Sequence, residues 1–421
     1  MDTLGHSHRH ERRSVPADRH TRWLLGGLLA PFVVATLVGL VALWPDDATP
    51  PVPNFIGPPA ELADGTVTRL VRGPCEGTEE SRQVRCQAVS LRLTSGPEAG
   101  RTVRFELSIG AGSPTLSEGD EIVAGRVADP AGGSNAETDG GNDSWYFSDF
   151  QRRTPLLLLG AGFALAVVVL ARWRGLLALV GLGVSLVVLV RFILPAILEG
   201  SSPVAVSVVG AAVIMFVTLY LAHGLNVCTT TAVLGTLGAL VLTGTLAWAF
   251  VEVAHLTGLS SEEAGFLQAA AGQVNLEGLL LGGIVIGSLG VLDDVTVTQA
   301  SATWELHRAN PSLGFGGLFS AGLRIGRDHI ASTVNTLVLA YAGASLPLLV
   351  LFTLANRDLS SVLTGELVAQ EIVRTLVGSI GLVAAVPFTT ALGAFVLHRH
   401  GTHAHLEKPD VNVSLSRHQH P

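Results

Sequence analysis

The 421-residue chain carries little charge, since Asp, Glu, Lys and Arg make up 14% of it while hydrophobic residues make up 48%. An ordinary soluble domain has about a quarter of its residues charged, so this balance excludes a typical cytosolic protein. The 26 basic residues are outnumbered by 34 acidic ones, and they form no basic patch of the kind that binds nucleic acid. We therefore predict a membrane protein without a nucleic-acid partner.

Cysteine is also scarce, because the chain contains only 3 residues of this type. Three cysteines cannot build a disulfide framework. Cys75 and Cys86 share one polar segment. In an oxidising compartment they can close a short loop, or both can stay reduced, and the sequence leaves these two alternatives open.

Signatures of common enzymes are missing. The sequence contains no nucleophile elbow, no Walker loop and no His-Glu-x-x-His motif. An intramembrane aspartyl protease needs two carboxylates that face each other from different helices, and the acidic residues of this chain do not suggest such a pair. We therefore predict that the protein is not an enzyme.

Long apolar runs, in contrast, are abundant. Crossing a bilayer as a helix takes about 20 apolar residues. Eight runs meet this length: residues 23–44, 154–171, 176–198, 203–223, 229–251, 276–304, 330–355 and 374–397. The sequence predicts a mainly α protein whose eight spans contact the lipid bilayer. It comprises a tail (1–22), an anchor (23–44), a polar segment (45–153), a seven-helix bundle (154–397) and a second tail (398–421).

The orientation follows from the arginines and lysines near the span ends, because cytoplasmic loops carry the excess of positive charge. Arg174, Arg308 and Arg327 fall on the same side as the arginine-rich N-terminal tail. This distribution predicts a plasma-membrane protein with both termini in the cytoplasm. Residues 45–153 are then exoplasmic.

The polar segment 45–153 has the pattern of a small β domain. Alternating or β-branched runs occur at 66–71, 84–93, 102–109 and 121–127, with Gly and Pro turns between them. We predict a compact, barrel-like domain of about five strands, inserted between the first and second spans.

The sixth span contains two adjacent carboxylates, Asp293 and Asp294, inside an apolar run. An ionised carboxylate in the bilayer costs at least about 2.5 to 3.5 kcal/mol, so such residues are candidates for function. Steps of three and four residues place one set of side chains on a single helical face. These residues are Gly283, Gly287, Gly290, Asp294, Thr298, Ser301 and Glu305.

The two halves of this face predict different roles. The glycines allow another helix to approach closely, so we predict that they pack against a helix. The oxygen-bearing half predicts a binding or transport surface. Glu277 at the start of the span is a further candidate ligand, or it is a helix-start carboxylate stabilised by the positive end of the helix dipole. On a regular helix Asp293 points about 100° away from Asp294. Oxygen ligands alone favour a hard ion such as Na⁺, Mg²⁺ or H⁺, so a bound cation is possible although no cofactor is expected.

This glycine-rich span runs into Asp-Val, Thr and Ser residues and a final Glu-Leu pair at 305–306. Together with the anchor, the β domain and the C-terminal bundle, it resembles the YibE/F-like membrane proteins over most of residues 23–397. The resemblance implies an integral membrane protein and shared roles for Asp294 and Glu305. It implies a less general role for Asp293, and it implies no substrate.

Histidine is concentrated in the two tails. His398, His400, His403 and His405 have His-x-His spacing that can capture a transition metal. No carboxylate or cysteine framework accompanies them, and such tails are often only flexible and polar. Metal binding by the tail is therefore one of two open interpretations.

Two functions are consistent with these features. The first is a transporter or channel for a small cation, proton or solute, with the oxygen-bearing face of span six along the path. The alternative is an accessory or sensory membrane protein whose exoplasmic domain binds a ligand or partner while the polar face holds helices together. In either case the chain can form a homo-oligomer.

Overall fold

The computed structural model describes residues 19–46, 61–75, 85–110, 112–128, 143–354 and 358–406, with only the backbone described for 19–20, 143–144, 359 and 400–406. Most of these residues are helical, and the strands form one β-sheet. The chain divides into two compact units, Pro51–Leu170 and a second one that combines Met1–Pro50 with Ala171–Pro421. The N-terminal histidines and the side chains of His400, His403 and His405 lie outside the described residues.

The smaller unit contains a five-stranded antiparallel sheet. Its strands are β1 (Glu61–Pro74), β2 (Arg85–Leu93), β3 (Thr102–Ser108), β4 (Glu121–Ala128) and β5 (Asp143–Phe150). Their order in the sheet is β3-β2-β1-β4-β5. The sheet curls so that its two edge strands, β3 and β5, contact each other. The alternating runs in the sequence predict the first four strands, but they did not indicate β5.

Alternation explains which residues form the core of this sheet. Val89, Leu91 and Leu93 of β2 point inward and are almost completely buried, while Ala88 and Arg92 point outward. Cys75 and Cys86 form a disulfide, with Cα atoms 4.8 Å apart, at the end of the β1–β2 pair.

The helical part begins with α1 (Arg19–Ala42) and continues after the sheet. Its helices are α2 (Arg153–Val188), a π-helical turn (Leu189–Ile193), α3 (Leu194–Leu198), α4 (Pro203–His223), α5 (Val227–Val253), α6 (Glu262–Ala270), α7 (Leu276–Ala309), α8 (Phe315–Ala344), α9 (Leu346–Leu354), α10 (Leu359–Thr364) and α11 (Glu366–Leu406). Asn275 and Asn226 cap α7 and α5, since their side-chain oxygens accept hydrogen bonds from Gly278 and Thr229.

The number of membrane spans differs from the predicted eight. Within the described residues, six helices are long and apolar enough to cross a bilayer, or seven if α8 and α9, bent by 59°, form one broken span. The difference arises because the predicted spans 154–171 and 176–198 fall in one helical stretch, Arg153–Leu198, of 46 residues. The count of eight is therefore not confirmed.

That long stretch contains a local break. Arg172 has a φ of 54° and a ψ of −132°, which is not a helical conformation. A straight helix of 46 residues would be about 69 Å long, more than twice the hydrocarbon thickness of about 30 Å. The break lies between the two predicted spans.

The larger unit is held together around α5 and α7. These two helices pack on each other, α11 packs on both, and α4 packs on α7. Glycines permit the close contacts: Gly381 of α11 lies against Thr243 of α5, and Gly282 of α7 lies against Ser207 of α4. A buried amide adds a polar link, because Gln299 Nε2 donates to the Gly322 carbonyl at 2.8 Å and to Thr390 Oγ1 at 2.7 Å.

Candidate ion-binding site in the helix bundle

Helix α7 supplies most of the candidate residues, and it is continuous through both carboxylates. The β-branched residues that follow Asp294 do not break it. Asp293 and Asp294 therefore point in different directions, as a regular helix requires.

The predicted stripe lies on the outer side of α7. All seven of its residues are exposed: Gly283, Gly287, Gly290, Asp294, Thr298, Ser301 and Glu305. A Cβ at Gly283 or Gly290 would meet nothing within 4 Å, and one at Gly287 would be 3.5 Å from the Tyr341 hydroxyl. Helix α8 reaches this face at Gly287 through Tyr341, but no helix in the described part of the chain lies against Gly283 or Gly290. Glu305 is paired with Arg308, at 2.8 Å.

Asp293 points about 100° around the helix from Asp294 and is partly buried. It is about 26 Å from the start of α7, near the middle of its length. Its carboxylate faces the hydroxyl groups of Thr218 in α4 and Thr236 in α5. Its Oδ1 atom is buried and accepts no hydrogen bond from the described residues. A carboxylate oxygen in this situation is a strong candidate for binding a proton or a cation.

The threonine hydroxyls around Asp293 already have hydrogen-bond acceptors. Thr218 Oγ1 is 2.8 Å from the Ile214 carbonyl, and Thr236 Oγ1 is 3.1 Å from the Ala232 carbonyl. Thr236 Oγ1 also lies 2.7 Å from Thr296 Oγ1, on α7. Three helices thus contribute oxygen atoms to one buried cluster, the Asp293 cluster, which consists of Asp293, Thr218, Thr236 and Thr296.

Glu277 lies at a cavity near the start of α7, which we call the Glu277 cavity. Its volume is about 510 Å³, and Glu252, His255, Gln268 and Asn275 also line it. Glu366 closes the neighbouring turn, since its Oε1 atom accepts hydrogen bonds from the backbone amides of Thr257 at 2.7 Å and Gly258 at 3.0 Å. Two carboxylates and a histidine therefore line one opening.

A second cavity, the Cys228 cavity, lies near the other end of α7. It has a volume of about 160 Å³, and its lining includes Cys228, Ser301, Glu305, Ala232 and Val297, together with the basic side chains of Arg174, His223 and Arg308. Thr236 lies one turn beyond Ala232 in α5, and Asp293 lies one turn before Val297 in α7. The Cys228 cavity therefore ends about one helical turn from the Asp293 cluster.

The Glu277 cavity is separated from the Asp293 cluster by several turns. The buried face of α7 between them carries mainly apolar side chains: Leu281, Ile284, Val285, Leu289 and Leu292. Ser288 interrupts this series, but its hydroxyl donates to the Ile284 carbonyl at 2.7 Å. In this conformation the cluster is closest to the Cys228 cavity.

The structure thus brings Ser301 and Glu305 together at the Cys228 cavity, but it places Glu277 far from them and turns Asp294 and Thr298 outward. Sequence reasoning missed Thr218 and Thr236. The only sequence signal for these two residues was that each is a threonine within an apolar stretch, of α4 and of α5 respectively. Among the described residues, no group of three or more His, Cys, Asp and Glu side chains is arranged to hold a metal ion.

Comparison with known proteins identifies the helical region. The model of a family described as YibE/F-like protein matches residues 159–399, which is more than half of the chain. The match runs from α2 into α11 and includes all of α7, whereas α1 and the β-sheet lie outside it. No curated protein and no solved structure matches this chain.

Proposed function

This chain belongs to the YibE/F-like family, and from that premise we propose that it is a multi-pass membrane protein that carries a proton or another small hard cation across the bilayer. The observation that supports this proposal is the Asp293 cluster, in which a carboxylate with an unpaired oxygen lies among hydroxyl groups from three helices. No catalytic residue is part of the proposal, and the cation is cargo and not a cofactor.

The hydroxyl protons determine what the cluster can bind. Each threonine has one proton to donate. If Thr218 and Thr236 donate to the carbonyls of Ile214 and Ala232, their oxygen lone pairs face the Asp293 carboxyl group and can accept a hydrogen bond from its protonated form or coordinate a hard cation. If they turn these protons to Asp293, they stabilise the ionised carboxylate instead. The cluster can therefore hold the carboxyl group in both states that uptake and release of a proton or cation require.

The two cavities support a path along the α5–α7 interface. The Cys228 cavity provides access to within about one turn of Asp293. The Glu277 cavity provides a separate, acidic opening at the other end. The apolar residues between the Glu277 cavity and Asp293 would have to separate for an ion to pass, which is the requirement of an alternating-access mechanism.

For the topology we propose eight spans, with both termini in the cytoplasm of a cell whose plasma membrane holds the protein. The break at Arg172 would separate two spans, and α8 with α9 would form one broken span. The sheet would then be exoplasmic. The Cys75–Cys86 disulfide supports this side, because disulfides persist in oxidising compartments and are rare in the cytosol.

We also propose that the outer face of α7 is covered by a second copy of this chain. Asp294 and Thr298 are exposed in the middle of the span, where contact with lipid is costly. Gly283 and Gly287 form a Gly-x-x-x-Gly pair on the same face, which is the spacing that lets two identical membrane helices pack closely. A homodimer about α7 would shield both features.

Ion flux into proteoliposomes tests the proposed transport, with a panel of monovalent and divalent cations and with a pH gradient. We expect Asp293→Asn to lower the flux at least about tenfold, because the amide cannot carry the charge that the cation or proton requires. Asp294→Asn is the matched control on the neighbouring residue and should retain the flux. Loss of flux in Asp294→Asn alone would place the path on the outer face. An absence of ion flux in the wild type and in every folded variant would favour the accessory function.

A further inference from the structure

The outer face of strands β1, β2 and β3 carries an arginine cluster that plays no part in the proposed transport. Arg69, Arg92 and Arg104 are all exposed, and each lies on a different strand. Ser90 of β2 lies directly opposite Arg69 on one neighbouring strand and directly opposite Arg104 on the other. Arg92 lies in the adjacent outward row, between Thr66 and Thr102. We call these three residues the arginine face.

Strand geometry fixes the spacing of the arginine face. Diagonal neighbours on adjacent strands are about 7 to 8 Å apart, which describes Arg92 with Arg69 and Arg92 with Arg104. Arg69 and Arg104 are two strands apart, or about 10 Å. Three guanidinium groups on flexible side chains can therefore reach anionic groups that follow each other along one chain.

The arginines of this face have no compensating partner among the described residues. The ion pairs between described residues of the domain involve other arginines, namely Arg101, Arg126 and Arg152, which contact Glu98, Glu61 and Asp149. Two carboxylates border the face: Glu106 follows Arg104 on β3, and Glu121 lies across β1 from Arg92. Residues 45–153 hold seventeen acidic residues and ten arginines, so a positive face stands out against an acidic domain.

We propose that the arginine face binds a linear polyanion, a hydrophilic chain that carries phosphate groups. Guanidinium groups bind such groups with paired hydrogen bonds, and the hydroxyls of Ser90, Thr66 and Thr102 between them can donate further ones. The rows that hold the arginines contain no large apolar side chain. A surface that docks on a membrane normally inserts apolar residues, so these rows favour a soluble polymer over a lipid surface.

Binding of long-chain inorganic polyphosphate by the full-length protein tests this proposal. The protein is held in nanodiscs of zwitterionic lipid, so that no anionic lipid competes, and fluorescence anisotropy of labelled polyphosphate reports binding. We expect affinity that falls steeply between about 50 and 200 mM salt. Single inorganic phosphate should compete weakly, because it can occupy only one arginine at a time.

A matched pair of triple variants separates the arginine face from general electrostatics. Arg69→Gln with Arg92→Gln and Arg104→Gln should weaken binding about ten- to a hundredfold, since three exposed charge-assisted contacts are lost. Arg101→Gln with Arg126→Gln and Arg152→Gln removes the same charge from paired positions and should change the affinity by less than about twofold. Thermal unfolding checks that both variants fold.

Three results would overturn the proposal. The first is equal weakening in the two triple variants, which would indicate a non-specific effect of charge. The second is an absence of polyphosphate binding by the wild type at about 50 mM salt. The third is binding to vesicles of anionic lipid without binding to polyphosphate, which would assign the arginine face to the membrane surface instead.

Discussion

Thr236 of α5 and Thr296 of α7 join their hydroxyl oxygens at 2.7 Å, with both side chains fully buried. This contact lies beside the Asp293 carboxylate and links the two helices at the centre of the bundle. The pair is therefore part of the same cluster of oxygen atoms, and it offers a test that leaves both carboxylates unchanged.

Replacing the Thr236 hydroxyl with a methyl group removes one oxygen from the cluster at nearly constant volume. We expect Thr236→Val to lower the apparent affinity for the transported ion about tenfold, because one hydrogen bond or ligand near a charge is worth about 1.5 kcal/mol. Flux measured against ion concentration gives this value. Thr243→Val is the control, since Thr243 is equally buried in α5 and donates to the Ala239 carbonyl at 2.8 Å. Equal effects of both variants would show that only helix packing is affected.

The free cysteine gives access to the Cys228 cavity. Among the described residues Cys228 is the free thiol, and it lines this cavity. We expect a small cationic methanethiosulfonate to block ion flux, because the added group fills a space of about 160 Å³ next to the Asp293 cluster.

Cys228→Ser is the control for that reaction. The variant should transport the ion and should be insensitive to the reagent. Adding the reagent to one side of the vesicle membrane at a time also reports which side the cavity faces. Inhibition that persists in Cys228→Ser would exclude the cavity as the site of block.

The glycine face of α7 predicts a dimer that bulky side chains should disrupt. At Gly283 and Gly290 an added Cβ meets no described atom within 4 Å, so the protomer should still fold with Gly283→Leu or Gly290→Leu. We expect these variants to shift the protein from dimer to monomer, as measured by cross-linking in membranes or by light scattering in detergent. Gly183→Leu, at another open helical position, should leave the dimer intact. A wild-type monomer would contradict the prediction.

The disulfide predicts the number of reactive thiols. After denaturation without a reductant, one of the 3 cysteines should react with a maleimide, because Cys75 and Cys86 are bonded to each other. After reduction all three should react, as mass spectrometry would show. Three reactive thiols before reduction, in protein from its native membrane, would argue against an oxidising location of the sheet.

The sequence predicted the general architecture because the strongest signals are local. Each long apolar run predicts a membrane helix from its own length, and alternation predicts strands such as β2 from its own residues. The number of spans was harder to predict. The sequence divides two apolar runs at 172–175, whereas the structure continues them as one helical stretch, Arg153–Leu198, in which Arg172 has a non-helical backbone.

The candidate site shows what local sequence patterns do not predict. Periodicity correctly grouped Asp294, Thr298 and Glu305 on one face, but it did not reveal that this face lies on the outside of the bundle. Helices in a membrane can be apolar on every side, so α7 has little amphipathic character to mark its buried side. Packing against α4 and α5 placed Asp293, and not Asp294, beside Thr218 and Thr236.

The arginine face shows the same limit of local sequence signals in the β-sheet. By itself, the sequence determined an apolar, multi-span protein with an acidic β-rich segment, because composition and spacing are properties of neighbouring residues. Arg69, Arg92 and Arg104 are far apart in that sequence, and no run of basic residues indicates that they form a cluster. Only strand register brought them onto one surface, just as only helix packing selected the buried carboxylate, because both depend on contacts between residues that are distant along the chain.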